Sequence, residues 1–580
     1  NPASLPVSQA GHGRVSYHVL GSLARRRLNG LARFCKRRRL EQTPNARTDD
    51  HTAPSESLRG SAGPRAGAPP MKPPVDLWPP RGLSHTDFLQ VAKNGFGDPH
   101  NAYPHSMELF GDKLFVGTSR SNLCMLRVSK MKTKIKNWPV PCPDNLYDLD
   151  MRSQIHALDL QSGQWREMFR APLLDPSKRI PREMSYRCMT LFQGDSDEAP
   201  ALYCGTYASA RGDGAHILRS VDGETFEPTL RPDTFKSVIT VRFLVSFKGR
   251  LFTSPTGVAG GNPNAAFQAV IYETRDPVHQ PWIRASDLGF GDPGNVSVLE
   301  MAAFGDYLYA GTINYEGFQV WRTRAEGNPP YSWERVITEG AWRGRLNQCA
   351  FSMRVFKDAL YVGGGIQHGG IDVANRTGPA GPELIRIHPD GSWDLIVGLS
   401  RDTPHGWKTA LSGYRPGYGY VTNGYFWRME AHDGWLYLGT LNWALMMRYA
   451  SQENWADLVR RVYGRLGEQQ VFDHLSGAHL YRSYDGENWV AVTRNGFDNP
   501  YNYGIRTLVS TPQGLAVGLV NPFGPDVGVW EGDQLRYEPN PRGGLEIWLG
   551  RTERDRPYPG QREDVAAAGQ STAARLLDPA

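Results

Sequence analysis

Short apolar runs separated by Gly, Pro, Asp and Asn fill most of this chain, and from Gly289 to Trp342 they complete one unit. The loop Gly289-Phe-Gly-Asp-Pro-Gly-Asn295 leads into the run Val298 to Phe304. Gly305-Asp306 turns the chain, and Tyr307 to Thr312, Phe318 to Thr323 and Trp333 to Ile337 follow with turn residues between them. Runs this short, rich in aromatic and β-branched residues, predict a four-stranded antiparallel meander, whose strands are lettered A to D here. Such a unit cannot bury its own face and needs copies beside it.

The copies are counted by strand B: Leu114 to Thr118, Leu202 to Thr206, Leu251 to Ser254, Leu308 to Thr312, Leu360 to Gly364, Leu436 to Thr440 and Leu515 to Gly518. Each is followed by a strand C, the last being Leu545 to Trp548, which has no strand D after it. A stray strand D stands at the other end. Phe88 to Asn101 aligns with Trp282 to Asn295 and Trp489 to Asn502, both of which start on a strand D and run through Gly-Phe to Asn. The expected fold is therefore an all-β, seven-bladed β-propeller of four-stranded antiparallel blades, with the last blade closed by the N-terminal strand.

Long B-to-C loops (119–155, 365–382, 441–478 and 521–544) are expected to cap one mouth of the central channel. The loop in blade six should hold one helix, because Trp455, Leu458, Val459, Val462, Tyr463 and Leu466 repeat at helical spacing between a Ser451 cap and a Gly467 stop.

Charge divides the chain. The net +6 comes from residues 1–70, with twelve Lys or Arg against four Asp or Glu; the remainder has 53 against 55. The body is near neutral, which gives it no nucleic-acid footprint. Residues 1–70 read as a disordered basic segment upstream of Met71, 71–86 as a lead-in, 87–550 as the propeller and 551–580 as a disordered tail. No apolar run is long enough to span a membrane. The cysteines (35, 124, 142, 188, 204 and 349) contain no C-x-x-C pair. Cys188 and Cys204 fall in or beside strands, where a thiol packs as a small hydrophobe. With no secretory signal visible, this favours a reducing compartment, the cytoplasm, and a monomeric protein. The sequons Asn295-Val-Ser297 and Asn375-Arg-Thr377 carry no weight on that reading.

The turns Ser220-Val-Asp-Gly-Glu-Thr-Phe226 and Ser483-Tyr-Asp-Gly-Glu-Asn-Trp489 resemble the Asp-box, or BNR repeat, of sialidase-like propellers, one residue shorter than usual. The whole repeat resembles uncharacterised bacterial BNR-like propellers. The resemblance implies a propeller and, as one alternative, an Asp-box glycoside hydrolase. The family's Phe-Arg-Ile-Pro motif is absent, and its nucleophilic Tyr and acidic Asp have no counterparts to match.

Four A strands are read as beginning with arginine: Arg187-Cys-Met, Arg242-Phe-Leu, Arg428-Met-Glu and Arg506-Thr-Leu. Repeat symmetry should bring them onto one ring at the capped mouth, where guanidinium groups bind carboxylate or phosphate. The competing expectation pairs them with Glu108, Glu300 and Glu430. His100, His105, His368 and His405 are placed on the same mouth, with Asp98, Asp372 and Asp402 near them. No pair has metal-ligand spacing, so His105 and His368 join the ligand set and neither metal nor cofactor is called for. The expected function is binding of a small polar, anionic ligand; the other alternative is a protein-interaction scaffold built on the cap loops.

Overall fold

The computed structural model describes residues 79–559, apart from 130–134, 136, 259–260, 453–454 and 456 and the side chains of 457–459 and 462. The basic segment 1–70, the tail beyond 559 and the side chains of Leu458, Val459 and Val462 lie outside the described residues. The fold is mostly antiparallel β-sheet with a few short helices.

The unit read first forms as expected. Asn295–Phe304, Tyr307–Asn314, Val320–Thr323 and Glu334–Ile337 pair in chain order, each antiparallel to the next. Successive sets repeat this course along the chain. In the last set, Gly504–Thr511 pairs with Gly514–Val520, which pairs with Glu546–Gly550. The free edge of Glu546–Gly550 is taken by Phe88–Ala92, with Phe88 opposite Gly550. The residues just before that strand are anchored on the sixth set. Leu83 is fully buried, its amide donates to Tyr437 Oη at 3.0 Å, and Trp435 Nε1 donates to the Pro80 carbonyl at 2.8 Å.

Five of the loops into strand A share one turn. Gly289 and Phe290 both have positive φ, 60° and 55°, and the Asn295 side chain donates to the Gly289 carbonyl at 3.0 Å. Asn101 and Asn502 do the same to Gly95 and Gly496, as their alignment implied. Asn347 and Asn423 repeat the bond to Gly340 and Gly417, two copies that the sequence comparison misses because Ala341 and Tyr418 replace the phenylalanine. Asn295 of the first sequon is wholly buried by this role. Between strands C and D, Asp222 Oδ1 accepts the amides of Glu224 and Thr225, both at 2.8 Å, and Asp485 Oδ1 those of Glu487 and Asn488, at 2.8 and 2.7 Å. Phe226 and Trp489 are buried behind these turns.

Strand A is bulged, and strand B answers with glycine. In six sets, two residues of strand A oppose one residue of strand B; the extra residue is His105, Arg187, Leu299, Phe351, Trp427 or Arg506. The next residue along strand A faces the strand B glycine: Gly117, Gly205, Gly311, Gly363, Gly439 or Gly518. A Cβ at Gly439 would stand 2.5 Å from Ile505 of the following set, and one at Gly518 would stand 2.9 Å from Pro104 of the first. The last set therefore touches the first as each set touches its successor. The third set departs from the pattern. Ser254 holds the glycine place, and strand A breaks between Thr240–Val241 and Val245–Phe247, with Arg242 opening the gap.

Three expectations change. Among the described residues, the loop of the sixth set holds two α-helices, α2 (Asp457–Leu466) and α3 (Glu468–Leu475), where one helix was expected, after a 3-10 turn at Ala444–Arg448; an earlier α1 (Asn122–Val128) lies in the first set. Gly467, at φ 78°, breaks the helix without ending the helical segment. Residues 551–559, assigned to the tail, lie against the body: Tyr558 is buried, and the Arg556 amide donates to the Pro512 carbonyl at 2.8 Å. Cys124 and Cys142, 18 residues apart, form a disulfide; Cys124 sits in α1 and Cys142 in the loop after it, with no strand pattern to reveal the approach. Cys188, Cys204 and Cys349 are free.

A chain beginning at residue 94 should melt well below one beginning at residue 79, because it reopens the edge of Glu546–Gly550; equal melting would remove any stabilising role for that strand. Gly439→Ala should lose about 1–3 kcal/mol in urea unfolding through overpacking on Ile505.

Candidate functional site

A bulge residue has no cross-strand partner of its own, so its side chain is redirected. Here His105, Arg187, Arg242 and Arg506 line one central cavity of about 440 Å³, together with Glu108, Glu300, Arg354 and Arg428. Leu299, Phe351 and Trp427, the apolar bulge residues, lie instead in the adjoining hydrophobic cluster. All four predicted arginines thus meet, but not at one level. Arg187 and Arg506 are bulge residues, and Arg242 stands at the break that replaces the third bulge. Arg428 is one residue further on, opposite Gly439, level with Glu300 opposite Gly311. The A strands also start earlier than read, at Glu183, Asn423 and Gly504, so the arginines are interior to their strands and do not begin them.

That one-residue difference separates two electrostatic situations. Arg428 Nη1 donates to Glu300 Oε2 at 3.0 Å, so the salt-bridge expectation holds for Arg428; two residues further along their strands Arg354, not among the four, pairs with Glu430. Among the described residues, the bulge layer has no such carboxylate. Arg187 and Arg242, 5% and 7% exposed, both donate to Asn264 Oδ1, at 2.9 and 2.8 Å, and Arg242 Nε donates to the Leu299 carbonyl at 3.0 Å. Arg506 is 6% exposed; among the described residues it has no hydrogen-bond or ion-pair partner, its guanidinium carbon stands 5.7 Å from the Trp427 ring, and the nearby carboxylate that acts on its charge, Glu300, is paired with Arg428.

Burial, with the like charges of Arg242, Arg428 and Arg187, pushes the Arg506 pKa well down. Burial and Arg242 push Arg187 down to about 9. Burial and the three arginines keep His105 neutral, and its Nδ1 meets Ser185 Oγ at 2.5 Å. Glu108 is raised to about 7 by burial and by Glu430.

The cavity runs from the bulge layer toward the A-to-B turns, where Leu191, Ser246 and Ala303 are exposed. On the long-loop side Tyr103, Tyr425, Trp427 and Tyr503 are buried in one cluster with Tyr147, Leu445, Tyr449 and Phe523 from the cap loops. The arginines therefore form the floor of a well open away from the loops, and not the rim of a capped mouth. His368 does not reach this cavity; it sits on a surface loop with Nε2 3.4 Å from Asn262 Nδ2. His100 meets Ser121 Oγ at 2.9 Å, and His405 lies against Trp342. No cluster of three metal-ligating side chains occurs among the described residues. Sequence reading missed Arg354 and Asn264. Arg354 is the counterpart of Glu108 and Glu430 in its repeat and could have been found by alignment. Asn264 comes from an irregular loop and left no signal.

No family model matches the sequence, and no curated protein resembles it closely enough to count as a relative. Among solved structures, an α-L-arabinofuranosidase from Fusarium graminearum, in complex with an iminosugar inhibitor, is 10% identical over 60% of this chain and 89% of its own, with a TM-score of 0.34. An α-L-arabinanase from Penicillium chrysogenum, complexed with arabinobiose, is 12% identical over 63% and 94%, with a TM-score of 0.32. A protein of unknown function from Dyadobacter fermentans is 12% identical over 61% and 93%, with a TM-score of 0.35. Likeness of this degree assigns neither fold nor activity.

Without ligand, Arg506→Met should raise the melting temperature, because it removes a buried charge that lacks a carboxylate partner. Arg428→Met should lower stability by about 1 kcal/mol, since it strands Glu300 while water still screens a partly exposed pair. Thermal unfolding of the two variants beside the parent checks both signs.

Proposed function

We propose that the repeated sets are the seven blades of a β-propeller, closed by Phe88–Ala92, and that its central well binds a small anion on a floor of Arg187, Arg242 and Arg506, with Arg428 beside them. Arg506 carries the reading. A guanidinium that is buried, faces a cavity and has no ion-pair or hydrogen-bond partner among the described residues has its charge poorly balanced by the protein. A carboxylate or phosphate offers the two acceptors that match its fork. Asn264, which gives one amide oxygen to two arginines, supplies geometry without neutralising them, so the floor is arranged in advance of the anion. His105 donates or accepts at the same level as a neutral ring.

Isothermal titration with phosphate, sulfate and short carboxylates tests this. Arg187→Ala, Arg242→Ala and Arg506→Ala should each weaken binding of the best anion by about 1–3 kcal/mol, whereas His368→Ala should leave it unchanged. Binding that survives all three arginine changes would overturn the assignment.

A further inference from the structure

The well has a second charged group without an ion-pair partner among the described residues. Glu300 and Glu430 are held by Arg428 and Arg354. Glu108 lines the same cavity and accepts one hydrogen bond, from the amide of Leu109 on its own strand, at 3.2 Å. Among the described residues no cation forms an ion pair with it. Arg506 at the floor lacks an anion, and Glu108 nearer the opening lacks a cation. Glu108 lies three residues beyond the bulge residue His105 on the same strand. At a rise of roughly 3.3 Å per residue this sets the two layers about 7–10 Å apart.

We infer that the well takes an elongated dipolar ligand, its anionic head on Arg187, Arg242 and Arg506 and its ammonium group on the Glu108 carboxylate. The inference rests on the anion site proposed above and adds the chemistry of the other end. A plain anion leaves Glu108 without a partner; an amine supplies the missing charge and completes a charge-assisted hydrogen bond. The charged groups facing Glu108 are Glu430 and Arg428 of the sixth set and Arg354 of the fifth. At the same level, the flanking strands of the second and last sets bring only Thr190 and Val509. An ammonium group would therefore meet one ionisable carboxylate not already engaged by arginine.

Protonation gives a readout of opposite sign for the two ligand types. In the empty well burial and Glu430 hold Glu108 near the middle of its titration at neutral pH, at about 7. An ammonium group nearby favours its ionised form, so docking releases a proton. An anion with no amine raises the local negative potential, so docking takes a proton up.

The experiment uses the full chain at pH 7 and titrates 4-aminobutanoate, 6-aminohexanoate and 8-aminooctanoate, each beside the fatty acid of equal length, in buffers of different ionisation enthalpy. One member of the amino series should bind roughly ten-fold tighter than its fatty acid and release protons, while the fatty acid takes them up. Glu108→Gln should abolish the amine advantage and both proton signals, while Arg506→Ala should weaken both series. If the fatty acids bind through Arg506 and no amine improves on them, the dipolar ligand is overturned and the anion site stands. If the amine advantage survives Glu108→Gln, the assignment to Glu108 is overturned. If neither series binds, both readings fall together.

Discussion

The missing side chain at one place in strand B decides how closely the sets approach each other. Gly117, Gly205, Gly311, Gly363, Gly439 and Gly518 each leave room for the following strand A, and a Cβ would fall within 3 Å of a neighbouring atom at every one. The same glycines face the residue after the bulge in their own strand A. Close approach between sets and the bulge inside each set are therefore one arrangement. The bulge aims Arg187 and Arg506 at the centre, so the electrostatics of the well depend on a packing feature at its wall. The third set supports the link by exception: with Ser254 in the glycine place, the strand breaks beside Arg242 where the others bulge.

The centre combines an apolar seal with unbalanced charge. Tyr103, Tyr425, Trp427 and Tyr503 close the loop side and raise the desolvation of the arginines beneath them. Three guanidinium groups without carboxylates cost folding free energy that the surrounding sets must offset, which is the usual position of a binding site in a stable scaffold. Next to it Glu300 pairs with Arg428, and at the level of Glu108 itself Glu430 pairs with Arg354. The protein thus leaves its charge unmatched at the floor and at Glu108, and nearly neutral between them.

Much of this was legible in the sequence. Leu-Tyr-x-Gly-Thr marks strand B because an apolar strand ending in glycine recurs, and Phe88 to Asn101 shows a strand D by alignment alone. The convergence of Arg187, Arg242 and Arg506 followed from that repeat. The bulge did not, since an extra residue is defined only against a paired strand. Counting from the strand start put Arg428 level with the others when it is one residue beyond. The side from which the cavity opens was also misread. Long aromatic loops suggested a capped mouth, but Tyr147, Tyr449 and Phe523 pack down as core and fill it. Gly467 looked like a helix stop because glycine serves both as a terminator and as a hinge between two helices, and local sequence does not distinguish the two uses.

The seal behind Trp427 has a kinetic consequence. A vessel with one opening allows no through-flow: water leaving the floor and a solute arriving there must pass each other in the collar of Glu108, Arg354 and Glu430. The last molecule to enter is the first to leave. Residence time of the proposed ligand then depends on the collar as well as on the arginines, and Arg354 and Glu430, outside its proposed contacts, can still govern how long it stays.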